Sequence, residues 1–169
     1  PAGVTPNDFG DLDSGPNGLQ NFPTLGFAAV AGAGDLRVAG SLDTIVGSHV
    51  YRIELFANDA CDASGYGEGE RFLGFADVST DLTGRAVIDA TFPQAGVTEG
   101  EFVTATATDA DGKTSEFSRC VEAQVSTDLA ARASTGATSL AVIGNAGFAV
   151  GDLIAICPGC PSEETNVVA

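Results

Sequence analysis

The sequence predicts an all-β protein, an antiparallel β-sandwich followed by a small C-terminal β unit. Three observations carry that expectation. Short segments alternate apolar and polar residues with a period of two, most plainly Tyr51-Arg52-Ile53-Glu54-Leu55-Phe56 and Ala86-Val87-Ile88-Asp89-Ala90-Thr91-Phe92, so that one face can be dry and the other wet. Turn chemistry recurs between such segments, as in Asp81-Leu82-Thr83-Gly84 and Asp109-Ala110-Asp111-Gly112. Helical signal is thin: only the stretch 126–133, STDLAARA, places capping residues ahead of good helix formers, and it serves equally as a connector.

Taken in order, residues 1–18 contain PNDFGDLDSGPNG, too rich in Gly, Pro, Asn and Asp for regular structure, and read as a linker or an ion-binding loop. Phe22-Pro23-Thr24-Leu25 can open an edge strand, where proline is tolerated because one side of the ladder is unpaired. Further strands are expected around 27–31, 36–42, 50–57, 71–80, 84–92, 102–108 and 116–125, which gives the seven or eight short strands of a sandwich over residues 19–125. A connector at 126–133 leads to a small β unit over 134–169, with strand-like runs at 137–142 and 147–156. About 35 residues bury too little surface to stand alone, so this unit is expected to pack on the sandwich, on a neighbouring repeat, or to be stapled. The chain ends on Asn166-Val167-Val168-Ala169, strand-like and with no partner visible in the sequence.

Seven basic and twenty-three acidic residues give a net charge of −16 over 169 residues. Such a surface repels nucleic acid and anionic lipid and attracts divalent cations and basic surfaces, so nucleic-acid binding is excluded as an expectation. No apolar run approaches the roughly 20 residues of a membrane span, which argues against membrane insertion. The chain begins at Pro1 and contains no methionine, the look of a processed product or an excised repeat. Its single lysine, Lys113, falls in the turn after Asp111 and Gly112, where it should be solvated, and this removes a buried lysine–asparagine crosslink from consideration.

Three stretches in the same order are familiar together: DFGDLDSGPNGLQNFPTL at 8–25, ELFANDACDASGYGEGERFLG at 54–74 and VTATATDADGKTSEFS at 103–118. They resemble the immunoglobulin-like β-sandwich module of large bacterial and archaeal secreted proteins, which often follows right-handed parallel β-helix repeats. The resemblance covers roughly residues 8–125. It implies an immunoglobulin-like fold and an extracellular, cell-surface setting, and it implies no particular activity. GFAVGDLIAI at 147–156 is similar to a short β unit of surface and adhesin-like proteins.

Cys61 and Cys120 lie near the ends of the second and last of these motifs, and with an even cysteine count in a secreted chain their pairing is expected. Cys157 and Cys160 have thioredoxin-type spacing, but they follow a strand and precede Pro161 rather than a helix that would lower a thiol pKa, so a stapled turn is expected. Zinc lacks ligands, His49 being the only histidine. Calcium is the better-supported cofactor. Asp8, Asp11, Asp13 and Asn17 crowd one glycine-rich loop, Asp109 and Asp111 another, and hard oxygens at alternate positions suit an ion that takes six to eight of them. The same residues also suit Asx-turns.

Catalysis has little to stand on, and no enzyme is expected. His49 has no nucleophile motif around it. Glu68 and Glu70 sit too close in a glycine loop to oppose each other across a sugar ring. The functional expectation is a structural module that polymerises with itself, as repeats or as subunits of a surface filament, through strand addition by Thr165, Asn166, Val167 and Val168. The alternative is an adhesin or carbohydrate-binding accessory domain, with Tyr66 stacking on a glycan.

Overall fold

The computed structural model describes residues 3–31, 34–126, 153–156 and 164–167. Among these residues one 3-10 turn, Pro16–Leu19, precedes nine strands: β1 (Thr24–Ala31), β2 (Leu36–Asp43), β3 (Val50–Asn58), β4 (Arg71–Ser79), β5 (Arg85–Phe92), β6 (Phe102–Thr108), β7 (Val121–Ser126), β8 (Leu153–Ile156) and β9 (Glu164–Val167). The first seven form one mixed sheet in the order β4-β3-β6-β7-β1-β2-β5. Every pairing in it is antiparallel except β1 with β7, which run parallel with Ala28 opposite Ala123 and Ala31 opposite Ser126.

The sheet curls until its two ends, β4 and β5, approach one another and the shape is nearly a barrel. One half contributes Leu36, Val38, Leu42 and Ile88 to the core, and the other Tyr51, Ile53, Leu55, Val103, Ala105 and Ala107. Removing each of the larger aliphatic side chains from water stabilises the fold by about 1.5–3 kcal/mol. The period of two is visible in the burial of β3 and β5. Strand β6 departs from it, because Thr104 and Thr106 on its other face are also buried. There the loop between β3 and β4 lies across the strand, with the Thr104 hydroxyl donating to the Glu68 carbonyl at 2.7 Å.

Three details differ from the sequence expectation. The segments around 22–25 and 27–31 are one strand, interrupted only by a register shift between Leu25 and Phe27, and Pro23 stands just before it, where its missing N–H breaks no ladder. The last strand of the sheet starts at Val121 rather than near 116. In residues 115–118 the Ser115 and Ser118 hydroxyls accept the Ala107 and Ala105 N–H groups, replacing main-chain carbonyls and leaving this stretch outside the regular ladder. The N-terminal stretch is irregular as expected but is not a free linker, being bonded to the sheet as described below.

The two turns behave as their sequences predict. Asp81 Oδ1 accepts N–H bonds from Thr83 and Arg85, with Gly84 at φ +85°. In the second, Gly112 donates to the Asp109 carbonyl. Strands β8 and β9 pair antiparallel, Leu153 opposite Val167. The C-terminal strand is therefore partnered rather than unpaired. The connector 126–133 past its first residue, the run at 137–142, Cys157, Cys160 and Val168 lie outside the described residues. No helix among the described residues is long and apolar enough to cross a membrane.

Candidate functional site

Two acidic constellations stand out among the described residues, at different places on the sheet. The first is the N-terminal loop. Asn21, buried just before β1, organises it: its side-chain oxygen accepts the Asp8 N–H, and its amide donates to the carbonyls of Asp8 and Asp43 at 2.7 and 2.9 Å. Asn7 acts likewise on Phe22, through one bond in each direction. Asp11, in a left-handed conformation at φ +53°, accepts the Asn21 N–H on one oxygen and the Thr44 hydroxyl on the other. Thr44 is fully buried, accepts from the Gln20 amide at 3.2 Å and lies 3.0 Å from the Tyr51 hydroxyl. A buried polar chain thus connects the loop to the core of β3.

This scaffold draws Asp8, Asp11 and Asp13 together, with one carboxylate oxygen of each within 4.8 Å of the others. Asp8 Oδ1 and Asp13 Oδ1 are buried and accept no hydrogen bond. Burial raises the pKa of Asp11, with the charges of Asp8 and Asp13 adding to the rise against the opposing hydrogen bonds from Asn21 and Thr44. Tyr51 is raised as well, mainly by burial. Three carboxylates converging with two oxygens unsatisfied have the donor set of a hard cation such as calcium. Asn17, named with them from the sequence, sits further along in the 3-10 turn, is exposed, and acts through its carbonyl, which accepts the Gln20 N–H.

The second acidic loop expected to hold calcium has another arrangement. Asp109 Oδ1 accepts the N–H groups of Asp111 and Lys113, and the Lys113 ammonium stands 3.5 Å from both carboxylates. Those two carboxylates, first Asp109 and then Asp111, raise the lysine pKa. The charge is met within the turn.

The other constellation is a shallow cleft of about 640 Å³ where the β3–β4 loop meets the stretch before β7, lined by Asp62, Tyr66, Glu68, Glu116 and Phe117 among others. The Cys61–Cys120 disulfide, with Cα atoms 5.9 Å apart, fixes the loop there as expected. Tyr66 is half-buried: the Phe22 ring meets it edge-on at 5.5 Å and the Arg119 guanidinium stands 5.7 Å from its centroid. Sequence reasoning named Tyr66 and Glu68 here and missed Asp62, Glu116 and Phe117, which only the fold brings alongside them. It also missed Asn21 and Thr44, whose one signal was a polar residue set among apolar ones at a strand end. His49 is exposed and its main-chain carbonyl accepts the Thr80 N–H.

No protein-family model matches the chain, and no curated protein matches it.

Proposed function

We propose that this chain is an extracellular structural module, an immunoglobulin-like sandwich with a small β unit behind it, that serves as a repeat or subunit of a cell-surface filament and is stiffened by calcium. The observation that carries the reading is the parallel pairing of β1 with β7. The chain enters β1 at one end of the sheet and leaves β7 at the other, so tension along a filament pulls these neighbours in opposite directions. The hydrogen bonds between them lie across that pull and resist it together instead of opening one after another.

Other features support it. Pairings of β1-β2-β5 on one side and β4-β3-β6-β7 on the other follow the connectivity of immunoglobulin-type sandwiches. A disulfide suits an oxidising compartment. Exposed apolar residues gather on loops at the entry end: Phe9 and Leu12 beside the aspartates, Ile45 and Val46 after Thr44, and Leu82 in the turn whose Gly84 carbonyl accepts the Thr44 N–H. These suit contact with a neighbouring module. Thr165, Asn166 and Val167 lie in β9, which has one edge on β8; strand addition would use its other edge.

The test is single-molecule extension. Pulling from the two chain ends should need a much larger force than pulling across the β3–β4 pair, whose bonds peel in turn. Equal forces would remove the mechanical reading. Electron microscopy of the purified chain with calcium and after chelation tests assembly, filaments that loosen on chelation being the expected result. The alternative, an adhesin or carbohydrate-binding accessory domain, relies on a Tyr66 ring that Phe22 and Arg119 already engage.

A further inference from the structure

We infer that the cleft at Tyr66 and Phe117 is a docking site for arginine or lysine side chains presented by an extended segment of a partner protein, a role that goes beyond the structural one and does not depend on it. The charge is the first argument. Among the described residues Asp62, Glu68 and Glu116 line the cleft, and the one basic group beside it is the Arg119 guanidinium at the Tyr66 ring. Hydrogen bonds from Ser64, first by its side chain and then by its main chain, lower the pKa of Asp62, which keeps it ionised. Glu116 accepts the Thr5 N–H, and Glu68 enters no ion pair among the described residues.

The spacing of the charges is the second. The only group of three or more acids among the described residues whose ligand atoms meet around one point is Asp8, Asp11 and Asp13. The cleft carboxylates are spread apart, which suits a guanidinium or ammonium group arriving on a flexible side chain better than a single metal ion.

The aromatic surface is the third. Phe117 meets Phe56 edge-on at 5.4 Å, and Phe56 meets Phe72 at 5.6 Å, so a run of rings leads from the cleft onto the outer face of β3 and β4, ending in a Phe72 that is 54% exposed. Gly69 lies directly on this run, where any side chain would strike Phe117 and Phe56. The chain already pairs cations with its own rings, Arg52 standing 4.0 Å over Phe75 and Arg119 over Tyr66. Ring faces rimmed by carboxylates give a guanidinium both a cation–π contact and an ion pair.

The experiment uses the full chain at about 0.15 M salt, where remote charges are screened. A fluorescently labelled peptide of alternating arginine and proline is titrated, followed by anisotropy and by amide shifts in NMR, against the same peptide with citrulline for arginine. The arginine peptide should bind and the citrulline peptide should not, with shifts concentrated at residues 66–69 and 116–118. Glu68→Gln and Glu116→Gln should each weaken binding about threefold, a size typical of exposed ion pairs, and the double variant about tenfold. Glu99→Gln, which removes the same charge from an exposed site in the β5–β6 connection, should leave binding unchanged. Equal losses in all three single variants would show attraction to the net charge alone and overturn the proposal. So would shifts confined to residues 8–13, or a neutral chitin or cellulose oligomer that shifts residues 66–69 where the peptide does not.

Discussion

In the turn at residues 109–113 a carboxylate accepts two main-chain N–H groups and faces an ammonium, while in the loop at residues 8–13 three carboxylates face one another and leave two buried oxygens without a donor. Both loops are aspartate- and glycine-rich and read alike in the sequence. The difference lies in who supplies the donors. The turn closes on itself and uses its own amides. In the loop only Leu12 gives an amide to Asp8 Oδ2; the remaining bonds come from Asn21 and Thr44, which flank β1 and β2, and they draw the carboxylates of Asp8, Asp11 and Asp13 together. A self-contained turn needs nothing else; an externally anchored one retains an unmet charge, and that is what a cation relieves.

The largest effect should therefore come from calcium itself. At a free concentration a hundred times the dissociation constant it should add about 2.7 kcal/mol to unfolding stability. Asp11→Asn should abolish that gain, and Asp109→Asn should leave it intact. Urea titrations of the three proteins with and without calcium decide this, and an equal loss in both variants would collapse the distinction between the loops. Next in size is the anchor. Thr44→Ala deprives Gln20, Tyr51 and Asp11 of a shared buried partner and should cost about 2 kcal/mol without calcium, read from the same titrations. Gly112→Ala tests the turn. Gly112 is at φ +85° with open space where a Cβ would stand, so the penalty is only conformational, about 1 kcal/mol.

Smaller still, and opposite in sign, are the pH responses. Asp11 has its pKa raised above the usual 3.8, chiefly by burial. Its contribution to metal-free stability is therefore greatest at low pH and declines as pH rises from near that value through the raised one. Asp81 is lowered, first by the Thr83 hydroxyl and then by the Arg85 and Thr83 amides. Its contribution is present above 3.8 and is lost as pH falls through the lowered value. Carboxyl-carbon NMR titrations should show the two moving to opposite sides of 3.8, and a shared midpoint would contradict the account.

The strands were legible because alternation is local. Ile53, Leu55 and Ile88 announce a buried face without reference to any other strand, and the cysteine motifs placed Cys61 beside Cys120. The aspartates of the first loop could be listed from composition, but their convergence depends on Asn21 and Thr44, ten and thirty-three residues from Asp11 by way of the bonds that hold it. The cleft was less legible still. Phe117 reads as a residue of a continuing strand, and nothing local says that two serines have taken over the bonding there, or that the β3–β4 loop lies against it.

The bond between Cys61 and Cys120 spans 59 positions and so encloses β4, β5 and β6 whole. Were the sheet to give way under tension, only the segments outside that ring could run out, and roughly 200 Å of chain would stay within the ring. A chain pulled from its two ends therefore has two lengths at failure, a short one while the sulfurs are joined and a long one after they are reduced.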